Sequence, residues 1–109
     1  MEKVILIDGK EVKFKSTGAT PLRYKAQFGQ DFFKSIAKLQ GLAELDNPNA
    51  LENIDFEAFY NIAWVMAKTA DNNIGDPITW LDSFDNFPIV EVIGGLTDLI
   101  LSTLESKKK

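Results

Sequence analysis

The chain has 109 residues, the size of one domain, and contains neither cysteine nor histidine. Those absences exclude disulfides and thiolate metal sites, and remove the commonest general acid/base and the commonest metal ligand together. The net charge of −4 conceals a polarity: residues 1–39 carry eight Lys/Arg and four Asp/Glu (net +4), residues 40–106 one Lys and twelve Asp/Glu (net −11), and Lys107, Lys108 and Lys109 add +3.

Charge segregation of this kind bears on association rather than on fold. Two arrangements accommodate it. The halves neutralise each other within one monomer, or a basic face of one subunit meets an acidic face of the next. The first apolar run, Val4 to Ile7, is too short for a signal-peptide core, and the longest, Ile62 to Ala67, is too short to span a bilayer. The expectation is a cytosolic protein.

Lys3 to Ile7 and Lys10 to Phe14 are β-rich runs on either side of Asp8-Gly9. The central residues of a tight hairpin turn must reach φ > 0, which Asp-Gly does readily. A hairpin is predicted over 3–15. Val12 and Phe14 alternate with Glu11, Lys13 and Lys15, giving the second strand one buried face. Two strands alone are marginal and must lean on helices or on a partner.

Ser16 to Ala19 reads as a loop, and Thr20-Pro21 as an N-cap followed by proline at the first helical position. A helix over about 21–28 ends at Gly29 in the left-handed conformation. Asp31 caps a second helix, about 31–40, with Phe33, Ile36 and Leu39 on one face and Gly41 closing it. Residues 42–54 read as a surface loop with room for one helical turn. Asp55 caps a helix over about 55–70. Phe56, Phe59, Tyr60, Ala63 and Ala67 form one stripe, while Ile62, Trp64, Val65 and Met66 fill its other faces, so it is expected at the centre of the fold.

Asp71-Asn72-Asn73-Ile74-Gly75 is a turn cluster, and Asp76-Pro77 starts a helix over about 77–84. Phe87-Pro88 opens the last, about 88–105, with a stripe of Ile89, Val92, Ile93, Leu96, Ile100, Thr103 and Leu104. Gly94-Gly95 inside it costs roughly 1 kcal/mol per glycine against alanine, so a kink, a break or close packing is expected there. The fold class is mainly α (α+β): one domain over 1–109, an N-terminal β-hairpin followed by about five helices.

No residue carries a catalytic, cofactor-binding or metal-binding signature. Asp71 to Asp76 starts like a calcium loop, but Gly75 and Asp76 stand in reversed order and Asp82 occupies the twelfth position, so turn and caps are the better reading. Asp82 and Asp85, three apart, read as a solvated acidic face rather than an acid/base pair. Gly9, Gly18 and Gly29 form no phosphate-binding spacing. Arg23, Lys25, Lys34 and Lys38 interleave with Tyr24, Phe28, Phe32 and Phe33. The acidic remainder of the chain argues against a nucleic-acid surface there. The chain holds 8 Phe, 2 Trp and 2 Tyr. Phe32-Phe33 and Phe84-x-x-Phe87 are candidates for partial exposure and interface anchoring.

The ordered set of segments resembles the tail assembly chaperone family of long-tailed phages and prophages of Gram-positive bacteria. The segments are the hairpin into Phe14-Lys15-Ser16-Thr17, Arg23-Tyr24-Lys25-Ala26-Gln27-Phe28-Gly29 with Asp31-Phe32-Phe33, Ala63 to Asp71, Trp80-Leu81-Asp82-Ser83-Phe84, and Phe87-Pro88-Ile89. Gly94-Gly95 departs from the continuous last helix expected of that family. The resemblance implies a non-enzymatic protein that binds the tape measure protein in many copies, keeps it soluble and helps recruit tail tube protein. It implies action in the host cytoplasm, absence from the mature virion and no cofactor. It carries over no contact residues. With the charge split it leads to an expectation of head-to-tail self-association, without nucleic acid or membrane. A virion connector and a DNA-associated regulator are the alternatives.

Three lysines following a helix complement its negative end, at about 0.3–1 kcal/mol per favourable charge. Such a run also matches A-rich codons on which ribosomes slip, and genes of the resembled family use such a slip to make a longer product. The chain is expected to be the shorter of two forms. The gene should show slippery codons at Lys107–Lys109 and an overlapping frame; their absence removes the expectation.

Overall fold

The computed structural model describes residues 1–37 and 56–104. Its elements run β1 (Glu2–Ile7), β2 (Lys10–Lys15), α1 (Thr20–Phe28), α2 (Phe32–Ala37), α3 (Phe56–Ala70), α4 (Pro77–Asp82) and α5 (Ile89–Leu104). Among the described residues this is the predicted hairpin followed by five helices. The expected loop over 42–54, the Asp55 cap, Leu39, Gly41 and the terminal lysines lie outside the described residues.

Asp8 at φ 55° and Gly9 at φ 78° form the hairpin turn, the pair of positive angles that a two-residue connection requires. The register runs from Ile7↔Lys10 to Glu2↔Lys15, and Ser16 N–H donates to the Met1 carbonyl at 2.9 Å, one step further. Strand alternation sends Ile5, Ile7, Val12 and Phe14 inward, while Val4 and Leu6 stand 53% and 66% exposed on the outer face. The inward face rests on two helices: α3 packs on β2 and α5 on β1.

α3 is the hub. Ile62, Ala63, Trp64, Val65, Met66 and Ala67 are all buried, as a helix apolar on every side must be. It touches β2, α1, α2, α4 and α5. Two aromatic chains leave it one turn apart. Trp64 meets Phe28 edge-on at 5.8 Å, and the line continues through Tyr24 to Phe32. Tyr60 meets Phe87 at 5.6 Å, and that line continues through Trp80 to Phe84 and Phe14. Such ring pairs add about 0.5–1.5 kcal/mol each beyond the area they bury.

Four details differ from the sequence reading. Thr20 is not the cap of α1: Ala19 holds that position without a side-chain bond, and the buried Thr20 hydroxyl instead accepts from Thr17 N–H at 2.9 Å. α2 is capped by Asp31, whose Oδ1 accepts from Phe33 and Lys34 N–H. Of the expected face Ile36 packs against the core, but Phe33 turns outward, 46% exposed, and the fully inward side chains are Phe32 and Ser35. The inward face carries Phe32, buried edge-on against Tyr24, and Ser35, whose Oγ accepts from the buried Tyr24 hydroxyl at 2.9 Å. α4 ends at Asp82, not 84, because Ser83 Oγ–H takes the Trp80 carbonyl at 2.6 Å and the Phe84 N–H bonds only three residues back. Leu99, outside the predicted stripe of α5, is fully buried beside Val92, Leu96 and Ile100.

α5 runs unbroken through Gly94-Gly95. Of the three expected outcomes the structure takes close packing, and at one glycine only. A Cβ on Gly95 would lie 2.7 Å from Ile5 Cδ1, whereas one on Gly94 would meet open space. The glycine therefore lets α5 approach β1. Gly94→Ala should raise unfolding stability by roughly 1 kcal/mol. Gly95→Ala should gain less, because Ile5 must move, and Gly95→Val should lose about 1–3 kcal/mol to overpacking. Urea titrations check the order; an equal gain from both alanines would contradict it.

Candidate partner-binding surface

The polar side chains singled out in the sequence mostly do local structural work. Asp71 Oδ1 accepts from Asn73 N–H at 3.0 Å, a turn within the loop after α3. Lys68 Nζ donates to the Asn72 and Ile74 carbonyls at 2.9 and 2.8 Å, and Trp64 Nε1–H to the Gly75 carbonyl at 2.9 Å. The loop is thus pinned to α3 by a cation and an indole. Asp76 caps α4 through Thr79 N–H at 2.8 Å. Among the described residues no three His, Cys, Asp or Glu side chains gather in a way that would hold a metal ion.

Asp82 and Asp85 do not share a helix. Asp82 ends α4, and Asp85 lies in the link beyond it, where its N–H donates to Asp8 Oδ2 at 3.0 Å. Lys10 Nζ donates to the Ser83 carbonyl at 2.7 Å and sits 5.3 Å from the Phe84 ring centre. The hairpin turn is held from both sides to the α4–α5 link. At the other end of the hairpin the Ser16 and Ser102 hydroxyls meet at 3.1 Å. Phe84 is buried and Phe87 half-buried.

The basic–aromatic segment separates by function. Tyr24 and Phe32 are buried, Phe28 is half-buried, and Arg23, Lys25 and Lys34 are exposed. The buried rings are core, Phe33 is 46% exposed, and Lys38 lies outside the described residues. Two ion pairs form among the described residues, Lys3–Asp98 at 3.6 Å and Lys15–Glu2 at 3.9 Å. The first alone joins the basic and acidic halves. Both are solvent-facing and contribute about 0–1 kcal/mol. Neutralisation within one monomer therefore accounts for little of the charge polarity among these residues.

The surface carries large apolar side chains that helical and strand geometry places outward. Leu22 on α1 is 74% exposed and Ile78 on α4 72%. Where α1, α3 and α4 meet, Phe28, Tyr60, Ile78 and Leu81 line an open groove together with the exposed Glu57 and Asp76. The sequence reading missed both features. The signal was present at Leu22, since Thr20, Tyr24 and Phe28 claim the inward side of α1 and leave residue 22 opposite.

Among the described residues no helix is long and apolar enough to cross a membrane. No family model, curated protein or solved structure matches the chain.

The Asp76 carboxyl is held below its ordinary value, first by its side-chain bond with Thr79 and then by the Thr79 N–H. A depressed folded-state value means that its share of stability is present above the unfolded value and is lost as pH falls through the folded one. Asp76→Ala should lower the melting temperature at neutral pH, and the deficit should shrink below about pH 4. Thermal melts from pH 7 to pH 3 check this; a deficit independent of pH would contradict it.

Proposed function

We propose that the protein is a phage tail assembly chaperone. It binds the tape measure protein in many copies, keeps that apolar client soluble and helps to recruit tail tube protein, without catalysis. It acts in the host cytoplasm and is absent from the finished virion. The reading begins from the ordered segments described above. Most of their aromatics are ring-packed core residues, including Tyr24, Phe32, Trp64, Trp80 and Phe84, so these segments carry a fold signature rather than a site signature.

The observation that supports the reading best is the surface. Val4 and Leu6 stand exposed on the outer face of the hairpin, Leu22 on α1, and Ile78 beside the aromatic groove. An apolar groove edged by carboxylates is a surface that can take another protein, whereas apolar side chains exposed singly are ordinary. The charge polarity supports subunits that associate head to tail, since a heterologous contact repeats along an array whereas a two-fold contact closes on itself.

Co-expression with the tape measure protein tests the reading. The client should move from the insoluble to the soluble fraction and co-purify with this chain, and purified virions should lack the chain. A client that stays insoluble, or the chain recovered in stoichiometric amounts from virions, would contradict it, the latter in favour of a connector.

A further inference from the structure

Leu22 and Ala26 stand one turn apart on the outer side of α1, both exposed, with exposed Arg23 and Lys25 flanking Leu22. This is an apolar knob between two cations. Tyr24 and Phe28 take the inward side of the same helix, so Leu22 faces away from the core, while Arg23 and Ala26 border a pocket against Trp64, Val65 and Lys68 of α3. The groove between α1, α3 and α4 has the converse character: Phe28, Tyr60, Ile78 and Leu81 supply apolar walls, and Glu57 and Asp76 supply two exposed carboxylates.

We propose that the knob of one copy seats in the groove of the next, with Leu22 against Ile78 and Tyr60 and with Arg23 and Lys25 near Glu57 and Asp76. The assignment rests on the many-copy reading above and names the two faces it uses. Three features favour a second copy as the occupant. The two surfaces are opposite in sign and equal in number of charges, Arg23 and Lys25 against Glu57 and Asp76. They are built from different residues of one chain, as a heterologous contact requires. Arg23, Lys25, Glu57 and Asp76 form no ion pair among the described residues, so their charges are available.

A contact built on one leucine and four rim charges is small. Interfaces of this kind fall at the weak, transient end, so free protein associates weakly and an array gains strength only when a client holds neighbouring copies together. Charge at the rim sets register and salt dependence more than affinity, and over a Debye length of about 8 Å at physiological ionic strength it is partly screened.

Sedimentation velocity on the full chain tests the assignment. Wild type should form a concentration-dependent series that shortens as salt rises. Leu22→Asp removes the knob and Ile78→Asp spoils the groove. Each alone should weaken self-association by about tenfold or more. Mixed, they should form a 1:1 dimer and no larger species, because one intact knob then meets one intact groove. Both side chains are largely exposed, and a second pair, Arg23→Glu and Glu57→Lys, provides an independent check: each weakens association, and the two in one chain restore it in part. A strictly monomeric wild type, single variants that associate like wild type, or a mixture that fails to pair overturns the proposal. Co-purification with the tape measure protein reads the chaperone function separately. Variants that lose self-association yet retain the client leave that function standing. A wild type that forms the series but ignores the client refutes the chaperone reading alone.

Discussion

Six consecutive buried residues on α3, Ile62 to Ala67, impose the constraint on which the rest of the structure depends. A helix apolar on all sides cannot rest on a single layer. It must be surrounded, and here each neighbour supplies one side: β2, α1 and α2, α4, and α5. Every outer element then needs only one apolar face, which is why the flanking helices are short or amphipathic and the hairpin has one buried side. Burying a large apolar side chain is worth about 1.5–3 kcal/mol, so truncating Ile62, Trp64, Val65 or Met66 carries a cost of at least that order. Tyr60 and Trp64 extend the same organisation outward through ring contacts to both ends of the molecule.

The hairpin depends on this hub for its place, and polar groups fix its register against the helices. Lys10 and Asp8 tie its turn to the α4–α5 link, and Ser16 meets Ser102 at the opposite end. Between them Gly95 allows α5 to lie against Ile5. These contacts join residues more than seventy positions apart in sequence. Topology of that kind is built late and lost together when the sheet detaches.

Periodicity and punctuation made the fold class readable. Asp8-Gly9 could hardly serve anything but a hairpin turn, Gly29 took its left-handed cap, and Asp76-Pro77 opened a helix where expected. What escaped was decided by tertiary polar bonds. The Thr20 hydroxyl turned back to Thr17, and Ser83 took the Trp80 carbonyl and stopped α4 early. On α2 the inward face is that of Phe32 and Ser35, both set against Tyr24, and of the two rings named as candidates for exposure Phe33 is the exposed one. Apolar spacing alone ranks Phe33 above Ser35, since the hydroxyl's partner lies on another helix. The groove beside Ile78 is likewise a product of three elements, and no single stretch of sequence encodes it.

The exposed Leu22 and Ile78 and the unequal charge of the two halves are the features on which the proposed association rests. The account's central claim is that several copies of this chain gather on one long client. Native mass spectrometry of the complex purified with the tape measure protein tests that claim most directly. The account predicts many copies of this chain for each client, in a number that falls when the client is shortened. One or two copies per client, unchanged by shortening, would contradict it.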